Sequence, residues 1–229
     1  STSVSRKISS LKSFYKFLYK NNYIDKKDYP LVKVTYPKKE KKLPKFLYYN
    51  DLLEIINESS KDKDGVRDRL IIEMLYATGV RVSELVNIKL SDIDFNNKRI
   101  VVCGKGNKER VVYYGDYAKE VLDKYLKTHI RKDNNYLFLN SKGEQITDGG
   151  IRYIIDNIMK KLSIKTHVTP HVLRHTFATD MLNNGCDIKV VQELLGHSSL
   201  KATEIYTHVT NERLKEVYYK CFPRREENE

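Results

Sequence analysis

Three of the five prolines of this chain, Pro30, Pro37 and Pro44, fall close together, and the run Lys38-Lys39-Glu40-Lys41-Lys42 lies between the last two. Proline removes an amide donor and restrains the residue before it, so neither a helix nor a central strand passes through such a stretch. The segment therefore reads as an extended, basic interdomain linker. It divides the chain into residues 1–29, a linker over 30–45, and a domain over 46–229, with the boundary near residue 43.

The charge is divided in the same place. Residues 1–45 hold 13 Lys+Arg against 3 Asp+Glu, a net of +10, whereas the other 184 hold 29 against 27, a net of only +2. A solvated surface and a polyanion-binding arm explain such a bias equally well on charge alone. With 229 residues, 40% of them hydrophobic, the chain has enough apolar material for one or two packed domains. No apolar run approaches the roughly 20 residues that span a bilayer, so no membrane partner is expected. Cys103, Cys186 and Cys221 are too few and too scattered for a disulfide framework or a paired-cysteine zinc site. They fit a reducing, cytoplasmic setting.

Val4, Ile8, Leu11, Tyr15 and Leu18 recur at helical spacing, which predicts an amphipathic helix in need of a partner surface. Beyond the linker, helices are expected near 50–60, 65–77, 81–88 and 116–128, with a turn at Thr78-Gly79. Arg99–Cys103 and Arg110–Tyr114 are β-rich and flank Gly104-Lys105-Gly106-Asn107-Lys108, a predicted hairpin. Tyr136–Asn140 reads as a further strand. Asp148, Thr169-Pro170 and Asp187 each precede a helical pattern, and a last helix is expected over about 211–221. The fold class expected is mainly α with a small antiparallel β-sheet (α+β).

Four strings carry residues suited to chemistry. In His171-Val172-Leu173-Arg174-His175, a helix starting at Pro170 places His171 and Arg174 one turn apart on one face. That face lies at a helix N-terminus, where free amides and the dipole favour an anion. Taken alone, the string favours ordinary capping and packing roles for His171 and His175. His171 and His175 have the i, i+4 spacing of zinc ligands, but Val172 stands where a metalloprotease carries its glutamate, so zinc is disfavoured. Leu194-Leu195-Gly196-His197-Ser198-Ser199 places a histidine after a helix-ending glycine, and Tyr206 follows nine residues later. With 17 tyrosines in the chain, only its neighbours single Tyr206 out. Thr78-Gly79-Val80-Arg81-Val82-Ser83-Glu84-Leu85 starts a helix on Arg81, where a surface pair with Glu84 is the simplest reading. Lys105 sits between two glycines that let backbone approach a ligand.

In this order along the chain, the strings resemble the tyrosine recombinase (phage integrase) family, specifically its Xer-like members. The resemblance implies that Tyr206 is the nucleophile that takes a DNA phosphodiester into a 3′-phosphotyrosyl link. It implies that Arg81 and Arg174 stabilise the phosphoryl charge with help from His197. Lys105 would protonate the leaving 5′-oxygen and His171 would manage the tyrosine proton. No cofactor, metal ion or ATP is expected. The partners implied are a double-stranded recombination site, three further copies of the chain in a ring on two duplexes, and an accessory or second recombinase. Lys38, Lys39, Lys41, Lys42, Lys108 and Arg110 are the expected DNA contacts. The family's N-terminal domain has several helices and only one is evident here, so residues 1–29 read as the remnant of a shortened DNA-binding domain. The helix near 211–221 is expected to mediate oligomerisation or else to fold back on its own domain. Chromosome or plasmid dimer resolution is the expected role. Integration or excision of a mobile element, a type IB topoisomerase, a metal-dependent nuclease and a catalytically silent DNA-binding protein are the alternatives.

Overall fold

The computed structural model describes residues 2–37, 46–62, 64–104, 106–128, 134–164, 166–196 and 211–225. It divides into two compact units, Ser1–Pro44 and Lys45–Glu229.

The first unit is built on α1 (Thr2–Lys20). Asn22 takes a positive φ of 59° just beyond it, and the following segment returns along the helix. Tyr29 meets Tyr15 edge to face, Tyr23 stacks on Phe17, and the Lys12 ammonium sits 4.9 Å from the Tyr36 ring centroid. Leu11, Phe14 and Phe17 remain about half exposed, so the apolar stripe seen in the sequence is only partly covered.

The second unit is mostly helical: α2 (Tyr49–Ser59), α3 (Gly65–Thr78), α4 (Val82–Leu85), α5 (Asp116–Thr128), α6 (Asp148–Lys161), α7 (Pro170–Asn183), α8 (Ile188–Leu194) and α9 (Asn211–Cys221). Helix α3 is buried on all sides and packs against α2, α5 and α7. This explains its lack of an apolar stripe, since a helix surrounded by partners has no water-facing side to keep polar. Strands β1 (Ile93–Asp94), β2 (Arg99–Cys103) and β3 (Glu109–Tyr113) form one antiparallel sheet in that order. The register pairs Ile100 with Val112 and Val102 with Arg110. Directly paired residues share a face, so Arg110 stands on the same face as the buried Ile100, Val102 and Val112.

Two expectations need correction. Tyr136–Asn140 makes only isolated bridges, Lys89 to Tyr136 and Leu139 to Gln145. The Asn140 carboxamide oxygen accepts from the amides of Lys142 and Glu144, which closes a turn and stops the ladder. Helix α6 is capped by Thr147, whose hydroxyl accepts from the Gly150 amide at 3.0 Å, and not by Asp148.

Helix α9 lies on its own domain. Leu214, Tyr218 and Cys221 are buried, Tyr218 donates to the Ala77 carbonyl at 3.0 Å, and Tyr218, Phe222, Phe177 and Tyr76 form one aromatic cluster. Beyond it the Arg224 guanidinium clasps the buried Glu73 carboxylate through Nε (2.9 Å) and Nη2 (2.7 Å) and lies 4.0 Å over the Tyr117 ring. Removing one member of such a pair strands a buried charge, at a cost of about 3–5 kcal/mol. Arg224→Met should lower the urea-unfolding free energy by that order, and the double variant with Glu73→Leu should recover most of it.

Candidate active site

Helix α7 starts as its sequence requires. The Thr169 hydroxyl accepts from the Val172 amide at 3.3 Å, and Pro170 occupies the first helical position, where no amide partner is missed. His171 is exposed at this N-terminus, and Arg174, one turn on, is buried. A buried guanidinium requires acceptors, and Arg174 has two main-chain carbonyls: Nη1 donates to Gly79 at 2.6 Å and Nη2 to Leu195 at 2.7 Å.

Those carbonyls belong to two of the other motifs. Gly79 ends α3 in the left-handed conformation (φ 59°), and a Cβ there would lie 2.5 Å from Phe177 Cδ1. Glycine is therefore required twice, for its backbone angle and for the packing of α7 against the turn. The chain leaves this turn extended at Arg81 and enters α4. Glu84, on the first turn of α4, accepts from the Arg81 amide through Oε2 and from Arg81 Nη1 through Oε1, both at 2.8 Å. About two-fifths of the Arg81 side chain stays exposed, whereas the Glu84 side chain is almost wholly buried.

Glu84 also binds Arg110. Nη1 donates to Oε1 at 2.9 Å and Nη2 to Oε2 at 2.8 Å, a parallel two-bond pair, while Nε donates to the Leu194 carbonyl at 3.0 Å. Arg110 and Arg174 thus satisfy consecutive carbonyls, those of Leu194 and Leu195, at the C-terminus of α8, where unpaired acceptors and the helix dipole both attract cations. Arg110 was expected on the DNA. Its guanidinium is instead engaged with Glu84 and Leu194, because the strand register places it on the buried face of the sheet. Lys108, at the hairpin tip, is exposed.

The electrostatics follow from this crowding. Burial pushes the Glu84 carboxyl up, but the hydrogen bonds from Arg110 and from the Arg81 amide and side chain outweigh it and hold its pKa below the ordinary range. For Arg174, burial, with neighbouring Arg81 and Arg110, lowers the pKa to about 10 against the pull of Glu84, so it remains a cation at neutral pH. Three guanidiniums against one carboxylate leave a local excess of two positive charges, which suits an anion such as a phosphodiester.

The structure therefore joins Arg81 and Arg174, with His171 on the first turn of the Arg174 helix. Lys105, His197, Tyr206, Lys38, Lys39, Lys41 and Lys42 lie outside the described residues. Among the described residues no group of three His, Cys, Asp or Glu side chains is placed to hold a metal ion. The central role of Glu84 was missed in the sequence, where it read as the partner of a surface arginine. The available signal was its spacing: the third helical position after Arg81 is where a carboxylate reaches back to the starting amide.

A model of the phage integrase family matches residues 45–213. The chain belongs to the phage integrase family. A tyrosine recombinase XerC of Staphylococcus epidermidis is 45% identical over all of this chain and 78% of its own length. One of Listeria innocua is 46% identical over 97% of this chain and 76% of its own. Among solved structures, the XerA recombinase shares 33% identity with a TM-score of 0.64, covering 93% of this chain and 82% of that one. The XerH recombinase bound to its difH substrate before cleavage shares 29% identity with a TM-score of 0.64, covering 91% and 62%. Together with the Xer relatives, the family match gives this chain the activity of site-specific recombination of the Xer type.

Two measurements probe the geometry. Glu84 binds a proton near pH 4.3 when unfolded and at a lower pH when folded, so its stabilisation is complete above that range and is lost as pH falls through the lowered value. Acid titration of unfolding free energy should show a shallower slope in Glu84→Gln. Gly196 has a φ of +64°, and a Cβ there would lie 2.9 Å from Arg110 Cδ. Gly196→Ala should cost at least about 1–2 kcal/mol in urea unfolding.

Proposed function

We propose that this enzyme cleaves and rejoins double-stranded DNA through a 3′-phosphotyrosyl intermediate on Tyr206, and that it serves chromosome or plasmid dimer resolution. The observation that carries the chemistry is the Arg81–Arg174 pair, held by Glu84 and two main-chain carbonyls beside a helix N-terminus. The DNA complex of XerH and the names of the XerC relatives support DNA as the partner.

In this reading the Tyr206 oxygen attacks the scissile phosphorus, and the bond to the 5′-oxygen breaks. His171 manages the phenolic proton, and Lys105 delivers one to the leaving 5′-oxygen, which departs as a hydroxyl. Arg81, Arg174 and His197 stabilise the charge on the nonbridging oxygens. The two bonds that Arg174 makes engage two of its five N–H groups, so others on the fork can address the phosphate while the first two keep it aimed. The phosphodiester energy is kept in the tyrosyl ester, so religation by the reverse attack needs no ATP. Fixed cations do the work that a divalent metal does elsewhere.

Lys38, Lys39, Lys41, Lys42 and Lys108 contact phosphates and set affinity and its salt dependence. Four protomers assemble on two duplexes in the cytoplasm, with an accessory or second recombinase as a further partner. Exchange of α9 between protomers would move Tyr218 out of its aromatic cluster, which couples assembly to the segment that carries Tyr206.

The test is a panel of suicide duplexes, nicked beside the cleavage position and carrying Xer recombination sites of the difH kind. A covalent protein–DNA adduct should form in EDTA and be absent in Tyr206→Phe. Arg174→Ala should slow adduct formation by at least about 10²–10³-fold while part of the DNA binding remains. No adduct on any duplex would overturn the reading.

A further inference from the structure

Arg110 makes three hydrogen bonds, two to the Glu84 carboxylate and one to the Leu194 carbonyl. Both terminal nitrogens bind Glu84, whose same two oxygens hold the Arg81 side chain and amide. Its Nε holds the Leu194 carbonyl, two residues before Gly196 and three before His197. Two glycines close on the same fork. A Cβ on Gly104, the residue before Lys105, would lie 3.3 Å from Glu84 Oε1 and 3.4 Å from Arg110 Nη1. A Cβ on Gly196, the residue before His197, would lie 2.9 Å from Arg110 Cδ, 3.0 Å from Nε and 3.1 Å from Cζ. The bare backbones of Gly104 and Gly196 are thus both seated on one guanidinium–carboxylate pair.

We infer that Arg110 is a positioning residue for strand cleavage: through Glu84 it aims Arg81, and through Gly104, Gly196 and Leu194 it holds the backbone of the hairpin and of the α8 end. It does not contact the DNA phosphate. The planar fork is essential to this role. It can grip both carboxylate oxygens and still place Nε against a helix end, whereas lysine gathers its three donors on one nitrogen and lacks the fork that spans carboxylate and helix end together. The side chain is 13% exposed, so it is shielded from the solvent where a duplex would lie.

This inference rests on the tyrosine-dependent cleavage proposed above, so adduct formation by the unaltered protein and its loss in Tyr206→Phe come first; their failure would count against that reading alone. On the duplex that the unaltered protein cleaves best, Arg110→Ala and Arg110→Lys are compared for single-turnover adduct rate, duplex affinity, the salt dependence of affinity and thermal midpoint. The expected result is a rate loss of about 100-fold in Arg110→Ala, as for a misplaced constellation, with affinity within about threefold and an unchanged salt slope. Arg110→Lys keeps the charge and should fold, yet remain slowed by about tenfold or more. Guanidinium ion, but not ammonium at equal ionic strength, should restore part of the Arg110→Ala rate. Weaker binding with a salt slope reduced by about one would mean a phosphate contact and overturn the inference. Full activity of Arg110→Lys, or a rate loss in both variants explained by unfolding at the assay temperature without guanidinium rescue, would overturn it too.

Discussion

The guanidiniums of Arg81, Arg110 and Arg174 crowd together and repel one another, and Glu84 is what lets them stay together. Its carboxylate is buried, so its attraction for Arg81 and Arg110 is little screened by water. It cancels one charge of three and leaves the remainder as a local positive field. The main-chain carbonyls of Gly79, Leu194 and Leu195 complete the restraint with dipoles in place of full charges. An acidic side chain in each of those places would neutralise the site; carbonyls orient the cations without doing so.

The fold exists, from this viewpoint, to bring three chain reversals to one point. Helix α3, buried on every side, ends at Gly79 against Phe177 of α7, and this contact brings the turn before Arg81 to the helix that carries Arg174. The short α8 ends where its last carbonyls meet Arg110 from the sheet and Arg174 from α7. The aromatic cluster of Tyr76, Phe177, Tyr218 and Phe222 then ties α9, the helix after the Tyr206 segment, to the same two helices. Changes far from the arginines along this chain of contacts therefore reach them through packing.

Much of this is local chemistry and can be read residue by residue. Thr169-Pro170 announces α7, and the apolar alternation of Arg99–Cys103 announces β2, because capping and pleating depend only on near neighbours. Tyr136–Asn140 has strand-like composition but fails as a strand because the Asn140 side chain takes the amides of a turn. Composition registers that competition poorly. Arg110 misled for a related reason. A basic residue beside a lysine hairpin suggests solvent and DNA, yet its strand partner is the buried Val102.

The amino-acid sequence by itself determined the helical class, the hairpin and the order of the motifs that contain Arg81, His171 and Arg174, since these follow from spacing, capping and residue type. Only the tertiary structure decided which acceptors hold those arginines and which way Arg110 faces. Glu84 and Arg110 are 26 residues apart, and Arg174 and Gly79 are 95 apart. A hydrogen bond between such positions depends on how helices pack and how strands register, and no local pattern encodes that.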